Sequence, residues 1–492
     1  MTNQVLLDPS NSSDEDCCPD ESLFAIYHSR AAATRNFIGA LPIELLLAIF
    51  THLYRSSRRL TQTGEIWRLD DPLSSLFPYA PAAVCSMWCS ALSCVPEFWT
   101  RVVIRVDSQH TQSRDVRRYF EWSRNLHLDV IITRHHDEFD GDDKREGSKV
   151  FKATRELVRH IERCRSIRFN VMYSSSLPSI LHDFHQEAAP HLHTLKLKCK
   201  VDDGGSPHRK LVHWRFDAPG LRHLYLDARN FFDVCVDRNN WLRRLPNLNS
   251  LSVSRYRHLS EKGIDLYKLL RAVEESPSLA YLELKDLHFS RLRPWTTVND
   301  ISIDLISMNL EDLSGEAFSE IIGYVDSAPD ATRISRCAIT TCHHSLISGG
   351  VAFHDLSADQ DLMIPLAHWR GRTLSLVNCA CFHDDFLRDM IDELYLINCT
   401  KFSPRLLKTM VLKRRKLARR SIFWRHDQET LDWTFPIVAP ITLISVEGGP
   451  VLSKKDREWF DKNLGSFHWD EQVLHSPFED SDDSDHDIRG GE

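Results

Sequence analysis

The segment LHTLKLKCK, residues 192–200, decides the fold of this chain because its apolar and polar residues alternate. In a strand, Leu195 and Leu197 point to one face and the polar residues beside them point to the other. Leu192 completes an L-x-x-L-x-L spacing three residues earlier. A single strand with one apolar face has nothing to cover that face, so the segment predicts neighbours of the same kind.

The same spacing recurs along the chain at a nearly constant distance. The sets are Cys164, Ile167 and Phe169; Leu192, Leu195 and Leu197; Leu221, Leu224 and Leu226; Leu248, Leu251 and Val253; and Leu279, Leu282 and Leu284. Their first residues are 28, 29, 27 and 31 residues apart, which is the period of leucine-rich repeats. Between the last two sets, the apolar residues Leu266, Leu269, Leu270 and Val273 follow the spacing of one helical face. The pattern predicts an irregular α/β solenoid with a curved parallel sheet backed by helices.

The pattern extends in both directions but becomes irregular. Upstream, Trp99, Val102 and Ile104 have the same spacing, and 126–132 reads as a further strand. Downstream sets are Val298, Ile301 and Ile303; Leu374 and Leu376; and Ile391, Leu394 and Leu396. Cys379 and Cys399 follow the middle leucine by five residues, where leucine-rich repeats carry Asn or Cys. The number of repeats stays open, and 315–365 is either divergent repeats or an insertion.

Two helical segments precede the repeats. LPIELLLAIFTHL, Leu41–Leu53, starts with a proline suited to a first helical turn and an acid at the positive end of the helix dipole. AAVCSMWCSAL, Ala82–Leu92, has apolar residues at i, i+3, i+4, i+7 and i+8 from Val84. Two short helices of this kind cannot bury their apolar faces alone, so a partner or a larger core must cover them.

The Leu-Pro pair, the apolar first helix and the Val-Cys-x-x-Trp segment resemble an F-box. In that family these positions contact a Skp-type adaptor of a cullin ubiquitin ligase, or pack behind the contact. The resemblance implicates Leu41, Pro42, Leu46, Ile49, Leu53, Val84, Cys85 and Trp88 as adaptor-binding residues. The connection 54–79 is longer than in many family members, with a short middle helix expected at 71–77.

Composition indicates an intracellular protein, cytoplasmic or nuclear or both. Of the 492 residues 42% are hydrophobic, yet no apolar run approaches the roughly 18 residues of a membrane span. The N-terminus lacks the basic and apolar regions of a secretory signal. Thirteen cysteines in so long a chain are too dilute for a disulfide scaffold, so reduced thiols are expected.

Charge is concentrated at the two ends. Asp14–Glu21 and Glu479–Asp487 hold eleven acids, and without them the net charge of −8 becomes about +3. Both stretches read as disordered tails. A body near neutrality gives no electrostatic case for a nucleic-acid partner, and the mixed charges between the leucines show no preference for phosphate.

No sequence motif indicates a catalytic site. Cys379-Ala-Cys381-Phe-His383-Asp384-Asp385 and Cys342-His343-His344 lack the paired spacing of structural zinc sites, so we expect no metal, no cofactor and no catalytic residue. Phosphate-loop, nucleotide-binding and nucleophile-elbow motifs are absent from the sequence. The basic run 413–420 is either a nuclear import signal or a solvated helix face.

Together the motifs predict a weakly ordered segment at 1–36, an F-box at 37–100, a repeat solenoid at 101–470 and an acidic tail at 471–492. The resemblance implies a non-catalytic substrate receptor of an SCF-type ubiquitin ligase, with a Skp-type adaptor, the cullin core and a protein substrate as partners. The alternative is a leucine-rich-repeat scaffold outside any ligase. Predicted substrate-binding residues lie between the buried leucines: Thr194, Lys196, Lys198, His223, Tyr225, Asp227, Tyr281, Glu283, Lys285, Glu393 and Tyr395.

Overall fold

The structure is a computed structural model that divides into two compact units, Met1–Cys94 and Val95–Glu492. It describes residues 41–57, 77–107, 110–134, 145–203, 215–236, 240–256, 264–291, 301, 303–325, 328–366, 369, 371–382, 392–424 and 440–471. The predicted weakly ordered N-terminal segment, all but the first residue of the predicted acidic tail at 471–492, and all but the last residue of the predicted helix at 71–77 lie outside these ranges.

The first unit, called the helical unit below, contains α1 Ile43–Ser57, α2 Tyr79–Ala82 and α3 Ser86–Ser93. Helix α1 begins directly after Pro42, whose carbonyl accepts the Leu46 N–H at 3.2 Å. Helix α3 begins later than its periodicity predicts, because Cys85 is extended at φ −162° and interrupts the helix before Ser86. Val84 therefore lies in the turn between α2 and α3.

The second unit, called the sheet unit below, is an α/β structure in which sixteen strands are assigned among the described residues. They are β1 Arg101–Arg105, β2 Leu128–Thr133, β3 Cys164–Tyr173, β4 Thr194–Val201, β5 His223–Asp227, β6 Ser250–Tyr256, β7 Ile264–Asp265, β8 Tyr281–Leu287, β9 Phe289–Arg291, β10 Ser307–Glu311, β11 Ala331–Ser335, β12 Gly350–His354, β13 Thr373–Val377, β14 Glu393–Ile397, β15 Leu443–Gly449 and β16 Ser466–Glu471. Fourteen of them form one parallel sheet in chain order, and β7 pairs with β9 separately.

Helices lie between many of the successive strands and back the sheet. They are α4 Ser113–Trp122, α5 Glu146–Val158, α6 Ile180–Asp183, α7 Ala228–Cys235, α8 Leu266–Glu274, α9 Gly315–Tyr324, α10 Met363–Leu366, α11 Pro404–Trp424 and α12 Lys454–Asn463. The helix predicted from Leu266, Leu269, Leu270 and Val273 is confirmed as α8, and all four side chains are buried. Its N-terminus is capped by Asp265, whose carboxylate accepts the Lys268 N–H.

Two inward positions recur in every strand of the large sheet, in matching register. Each strand contributes a pair, and the pairs are Val102/Ile104, Val130/Ile132, Ile167/Phe169, Leu195/Leu197, Leu224/Leu226, Leu251/Val253, Leu282/Leu284, Met308/Leu310, Thr332/Ile334, Val351/Phe353, Leu374/Leu376, Leu394/Leu396, Ile444/Val446 and Phe467/Trp469. All except the half-buried Phe467 are buried. The core is therefore two continuous rows that cross all fourteen strands.

The predicted strands around residues 102, 130, 167, 195, 224, 251, 282, 374 and 394 are confirmed. The strand predicted from the set that begins at Val298 is wrong. The strand at this point is β10, in which Leu305, Met308 and Leu310 have the repeat spacing and methionine replaces the middle leucine. Residues 315–365 continue the sheet through β11 and β12. The prediction missed β15 and β16, whose sets are Ile441, Ile444 and Val446, and Leu464, Phe467 and Trp469.

Eight strands of the large sheet share one backbone feature at or just after their C-terminal ends. Two residues after the inner pair, eight strands place a residue at positive φ: Arg255, Asp286, Asp312, Arg336, Asp355, Asn378, Asn398 and Gly448. Asp and Asn tolerate this left-handed region better than most side chains. At Gly448, φ is +62° and a side chain would collide with the Asn398 amide oxygen, so glycine is required there.

The next residue in three of these turns is a cysteine that contacts the preceding strand. The Sγ atoms of Cys337, Cys379 and Cys399 donate to the carbonyl oxygens of Leu310, Phe353 and Leu376 at 3.5, 3.4 and 3.5 Å. Side-chain amides join the same edge, since Asn398 donates to Asn378 at 2.9 Å and Asn378 donates to Asp355 at 2.8 Å. These bonds fix the turns against one another.

The inner rows make a direct prediction for stability. Leu224 is fully buried between Leu195 and Leu251, so Leu224→Asp would bury a charge with no partner and lower the free energy of unfolding by at least about 3 kcal/mol. Chemical denaturation of the full chain measures this loss. Thr194→Asp, on the opposite face of the sheet, is the matched control and should cost less than about 1 kcal/mol. Equal losses for the two variants would contradict the assignment of the faces.

Candidate interaction surfaces

The helical unit presents a row of exposed apolar side chains on α1. Leu45, Ile49 and Leu53 are spaced by four residues, so they lie on one face of the helix. Their exposed fractions are 53%, 46% and 43%, and Val84 and Met87 are exposed at 59% and 38%. Several large apolar side chains exposed close together mark an interaction site more often than an ordinary solvated surface.

The opposite side of α1 forms the small core of the unit. Leu46 and Phe50 are each 1% exposed, and the Phe50 ring packs edge-on against Trp88 with centroids 5.1 Å apart. Ala91 and Leu92 of α3 are also buried. Helices α1 and α3 are thus held together beneath the exposed row, which gives that row a rigid support.

The predicted adaptor-binding residues fall into two groups. Pro42, Ile49, Leu53 and Val84 are exposed, whereas Leu41, Cys85 and Trp88 are half-buried. Leu46 is buried and can act only by packing behind the surface. The sequence reading missed Leu45 and Met87, although the four-residue spacing of Leu45 with Ile49 and Leu53 was a usable signal.

The sheet unit has an open face, defined here by the strand residues that alternate with the inner rows. Most of the predicted substrate-binding residues are half-buried on this face: Thr194, Lys196, Lys198, His223, Tyr225, Glu283, Lys285, Glu393 and Tyr395. Tyr281 is more exposed, at 44%. The parallel register brings residues distant in sequence side by side, as it does for Lys196 and Tyr225.

Aromatic and cationic groups meet on β4 and β5. The Lys196 and Lys198 ammonium nitrogens lie 5.3 and 5.4 Å from the centre of the Tyr225 ring, within cation–π range. Arg168 of β3 is the cross-strand neighbour of Lys196, so it belongs to the same row. The sequence reading did not include Arg168, although its place between Ile167 and Phe169 was the same signal that selected Lys196.

The open face of the later strands is held by charged and polar pairs. Lys285 bonds Glu311 at 2.6 Å, Asn309 donates to Glu283 at 3.0 Å, and Arg336 pairs with both Glu311 and Asp312. On β14, Tyr395 donates to Glu393 at 3.4 Å. These carboxylates already accept hydrogen bonds within the sheet.

Asp227 departs from the prediction because its side chain is buried at 2% exposure. It ends β5, and its carboxylate accepts a 2.8 Å hydrogen bond from the Asn230 amide of α7. Burial raises the pKa of Asp227 from 3.8 to about 6, although the Asn230 hydrogen bond and Arg229 act in the opposite direction. Asp227 is a structural carboxylate and is not available to a protein partner.

Cys342, Cys379 and Cys381 of the two Cys/His clusters are buried in the sheet unit. Burial raises the pKa of Cys379 to about 12 and of Cys381 to about 11, and it also raises the pKa of Cys342. Such thiols are poor nucleophiles at neutral pH. Within the described part of the chain, no group of three or more His, Cys, Asp or Glu side chains could hold a metal ion. His383, Asp384 and Asp385 lie outside the described residues.

The basic run 413–420 falls within helix α11, and its charges serve different purposes. The Arg414 side chain is buried and lies 3.5 Å from Asp392, while Arg415 donates to Asn463 at 2.7 Å. Lys413, Lys416 and Arg419 are exposed. Two of the five cations whose side chains are described are thus bound within the fold, which favours the solvated-helix interpretation over an import signal.

In the described ranges, no helix combines the length and apolarity that crossing a membrane would require. No protein-family model matches the chain, and a search of curated proteins gave no match.

The raised pKa of Asp227 predicts a pH-dependent effect on stability. Because the folded pKa lies above the unfolded value, the carboxylate costs stability as pH rises from 3.8 to about 6, and the full cost persists above that window. Asp227→Asn removes this cost, so the stability of the variant relative to the parent should increase by about 2 kcal/mol between pH 4.5 and pH 7.5. Urea denaturation at the two pH values measures it. An advantage that does not change with pH would contradict the shifted pKa.

The burial of the thiols predicts their order of reaction. Cys85 and Cys89 are half-buried and Cys94 is exposed, whereas the described cysteines of the sheet unit are buried. Iodoacetamide at pH 8 should alkylate the first group at least about tenfold faster than Cys337, Cys379 and Cys399. Peptide mass spectrometry of the native protein, with a denatured sample as control, reports each rate. Fast reaction of the strand-end thiols would disprove their hydrogen-bonded, buried placement.

Proposed function

We propose that this protein is the substrate-recognition subunit of an SCF-type ubiquitin ligase, in which an F-box binds a Skp-type adaptor and a leucine-rich-repeat region binds a protein substrate. The observation that carries the proposal is the exposed apolar row Leu45, Ile49 and Leu53 on α1. It occurs in the segment whose Leu-Pro and Val-Cys-x-x-Trp motifs resemble an F-box.

The exposure of the motif residues supports docking. Pro42 and Val84 are exposed, and Ile49 and Leu53 retain more than two fifths of their accessible surface. Exposed apolar surface has a free-energy cost in water that a bound partner would remove, at roughly 25 cal/mol per Å². The Phe50–Trp88 contact keeps the row in place for such a partner.

The sheet unit supports the second half of the proposal. Its strands share one register, its turns repeat one left-handed residue, and three strand-end cysteines bond back to the preceding strand. A repeated strand and turn of this kind is the unit of leucine-rich-repeat solenoids. The open face then supplies a broad row of half-buried polar and aromatic side chains, which is the form of surface that solenoids use for binding.

Such a receptor promotes ubiquitin transfer by holding the substrate near the enzyme that carries ubiquitin. The ligase core would supply a ubiquitin-loaded enzyme, and this chain would hold a substrate lysine within its reach. Fixing two reactants near each other replaces a bimolecular encounter with an intramolecular one, which raises their effective concentration. In this role the residues that matter are those of the two binding surfaces.

Adaptor binding tests the proposal. Ile49→Asp/Leu53→Asp places two charges on the exposed row without touching the buried Leu46 and Phe50, so it should reduce affinity for a purified Skp-type adaptor at least about a hundredfold. Calorimetry or a pull-down with the full chain measures the loss. Leu412→Asp, which changes an exposed apolar residue of α11 in the same way, should leave affinity unchanged.

Two results would redirect the assignment. If the folded parent protein does not bind the adaptor, the chain is better described as a repeat scaffold outside any ligase. If the parent binds but Ile49→Asp/Leu53→Asp binds equally well, the adaptor uses a different surface and the F-box interpretation of α1 fails. Circular dichroism of each variant shows that a loss of binding is not a loss of folding.

A further inference from the structure

Helix α11 differs in charge from the other long helices of the sheet unit. Its 21 residues include eight Lys and Arg and no Asp or Glu. The other described helices of comparable or shorter length, α4, α5, α7, α8, α9 and α12, each contain an acidic residue. A helix without acids cannot neutralise its own cations, so neighbouring elements, solvent ions or a bound partner must balance its charge.

The fold buries one side of α11 and leaves another side exposed. Leu407 and Val411 are fully buried in the core, and one flank contacts α12, where Lys408 pairs with Asp456. The exposed residues in the described part of the helix are Arg405, Leu406, Thr409, Leu412, Lys413, Lys416 and Arg419. This exposed surface is called the basic helix face below.

The basic helix face runs along one side of the helix. Arg405, Leu412, Lys416 and Arg419 occupy positions i, i+7, i+11 and i+14, which recur on one side of an α-helix. At a rise of 1.5 Å per residue, they span about 21 Å. The two leucines of the face, Leu406 and Leu412, are 40% and 52% exposed. Four cations and two apolar side chains therefore share one surface about four turns long.

The cations of this face are not neutralised by the described part of the fold. Among the residues that the structure describes, no carboxylate pairs with the side chains of Arg405, Lys413, Lys416 and Arg419. Elsewhere in the helical layer exposed arginines are paired, as Arg117 and Arg159 are with Glu156. The basic helix face therefore presents its positive charge to solvent and to an approaching partner.

The net charge of the chain makes any attraction to an anionic surface a local property. At −8, the protein as a whole is repelled by such a surface. The screening length is about 8 Å at physiological salt, so charges elsewhere contribute little to a contact made by α11. Binding to an anionic surface would have to come from a confined cationic region of this kind.

We infer that the basic helix face binds the surface of an anionic phospholipid membrane. Helices that lie in the membrane interface carry Lys and Arg for the headgroups and aliphatic side chains for the acyl boundary. Here Lys413 and Lys416 would contact headgroups while Leu406 and Leu412 enter the interface. Because α11 backs the sheet, the open face remains available to a substrate. The inference does not rest on adaptor binding.

The exposed leucines favour a membrane over a nucleic acid or an acidic peptide. A nucleic acid is held by cations and aromatic rings and gains little from aliphatic side chains. A purely acidic peptide likewise uses only the cations. A phospholipid surface offers an anionic layer and an apolar boundary within reach of one helix face. The combination of cations with Leu406 and Leu412 matches that surface.

Vesicle flotation with the full chain tests the inference. The probes are vesicles of phosphatidylcholine alone and vesicles that also contain about 30% phosphatidylserine. We expect the chain to bind the anionic vesicles at least about tenfold more tightly than the neutral ones, with affinity falling as salt rises. Absence of binding to anionic vesicles, or equal binding to both compositions, would overturn the inference.

Charge reversal locates the membrane-binding surface. Each Lys or Arg near an anionic leaflet contributes about fivefold to affinity, so Lys413→Glu/Lys416→Glu should weaken vesicle binding at least about tenfold. Lys152→Glu/Arg155→Glu is the matched control, because it makes the same change in net charge at exposed residues of α5. The control should remain within about twofold of the parent. Equal losses for the two variants would show that total charge controls binding and would contradict a site on α11.

The leucines distinguish a membrane from other anionic partners. Leu406→Ser/Leu412→Ser keeps every cation and should weaken binding to anionic vesicles at least about fivefold. Circular dichroism shows whether the variant stays folded. Anisotropy with a labelled peptide of alternating Glu and Ser, and with a single-stranded RNA, measures the other partner classes. If either probe binds through Lys413 and Lys416 while anionic vesicles do not bind, the inference is wrong.

Two further measurements separate this test from that of the ligase proposal. Lys413→Glu/Lys416→Glu should bind the Skp-type adaptor as the parent does, and Ile49→Asp/Leu53→Asp should bind anionic vesicles as the parent does. A variant with the acids of 479–487 replaced by Asn and Gln measures competition from the chain itself. If anionic vesicles bind that variant but not the parent, the inference of a membrane partner is overturned.

Discussion

The structure depends on one constraint: every strand of the large sheet places two side chains at the same two inward positions, and all of them are apolar except Thr332 of β11. The parallel register carries these positions from Val102 and Ile104 in the first strand to Phe467 and Trp469 in the last. Each pair lies beside the pairs of the adjoining strands, so a single strand and turn taken alone would leave its apolar edge uncovered. One charged side chain in either row would therefore weaken several contacts at once.

This constraint leaves the alternate residues free to serve other purposes. They are half-buried rather than fully solvated, since neighbouring strands lie close enough for side chains to touch. On the later strands they neutralise one another through pairs such as Lys285 and Glu311. On the earlier strands Lys196 and Lys198 lie over the Tyr225 ring. One backbone pattern thus supports ion pairs in one region and cation–π contacts in another.

The helical unit follows a different principle. Its few buried residues, Leu46, Phe50, Ala91 and Leu92 among them, hold α1 and α3 together while the larger apolar side chains of α1 stay exposed. A small unit that exposes so much apolar surface is suited to function as part of an interface. Among the described residues, the exposed row of α1 is thus apolar, whereas the open face of the sheet unit carries polar and charged side chains.

Periodicity predicted most of the sheet and failed where residue identity departed from leucine. The predicted position of β10 was wrong because Met308 takes the place of the middle leucine. Strands β15 and β16 were not predicted because Ile441, Phe467 and similar residues replace leucine. All satisfy the same physical requirement, which is apolar volume at two alternate positions. After residue 300 the sets are no longer evenly spaced, so the repeat period could not be used to locate these strands.

The amino-acid sequence by itself determined the two helical motifs, the alternation that makes an α/β sheet, and the residues that face away from the core. Only the tertiary structure decided that Leu46 is buried while Leu45 is exposed, that Asp227 lies in the core, and that Arg168 lies beside Lys196. The reason is physical: alternation follows from the local geometry of one strand, whereas exposure and charge neighbours depend on which distant segments pack against it.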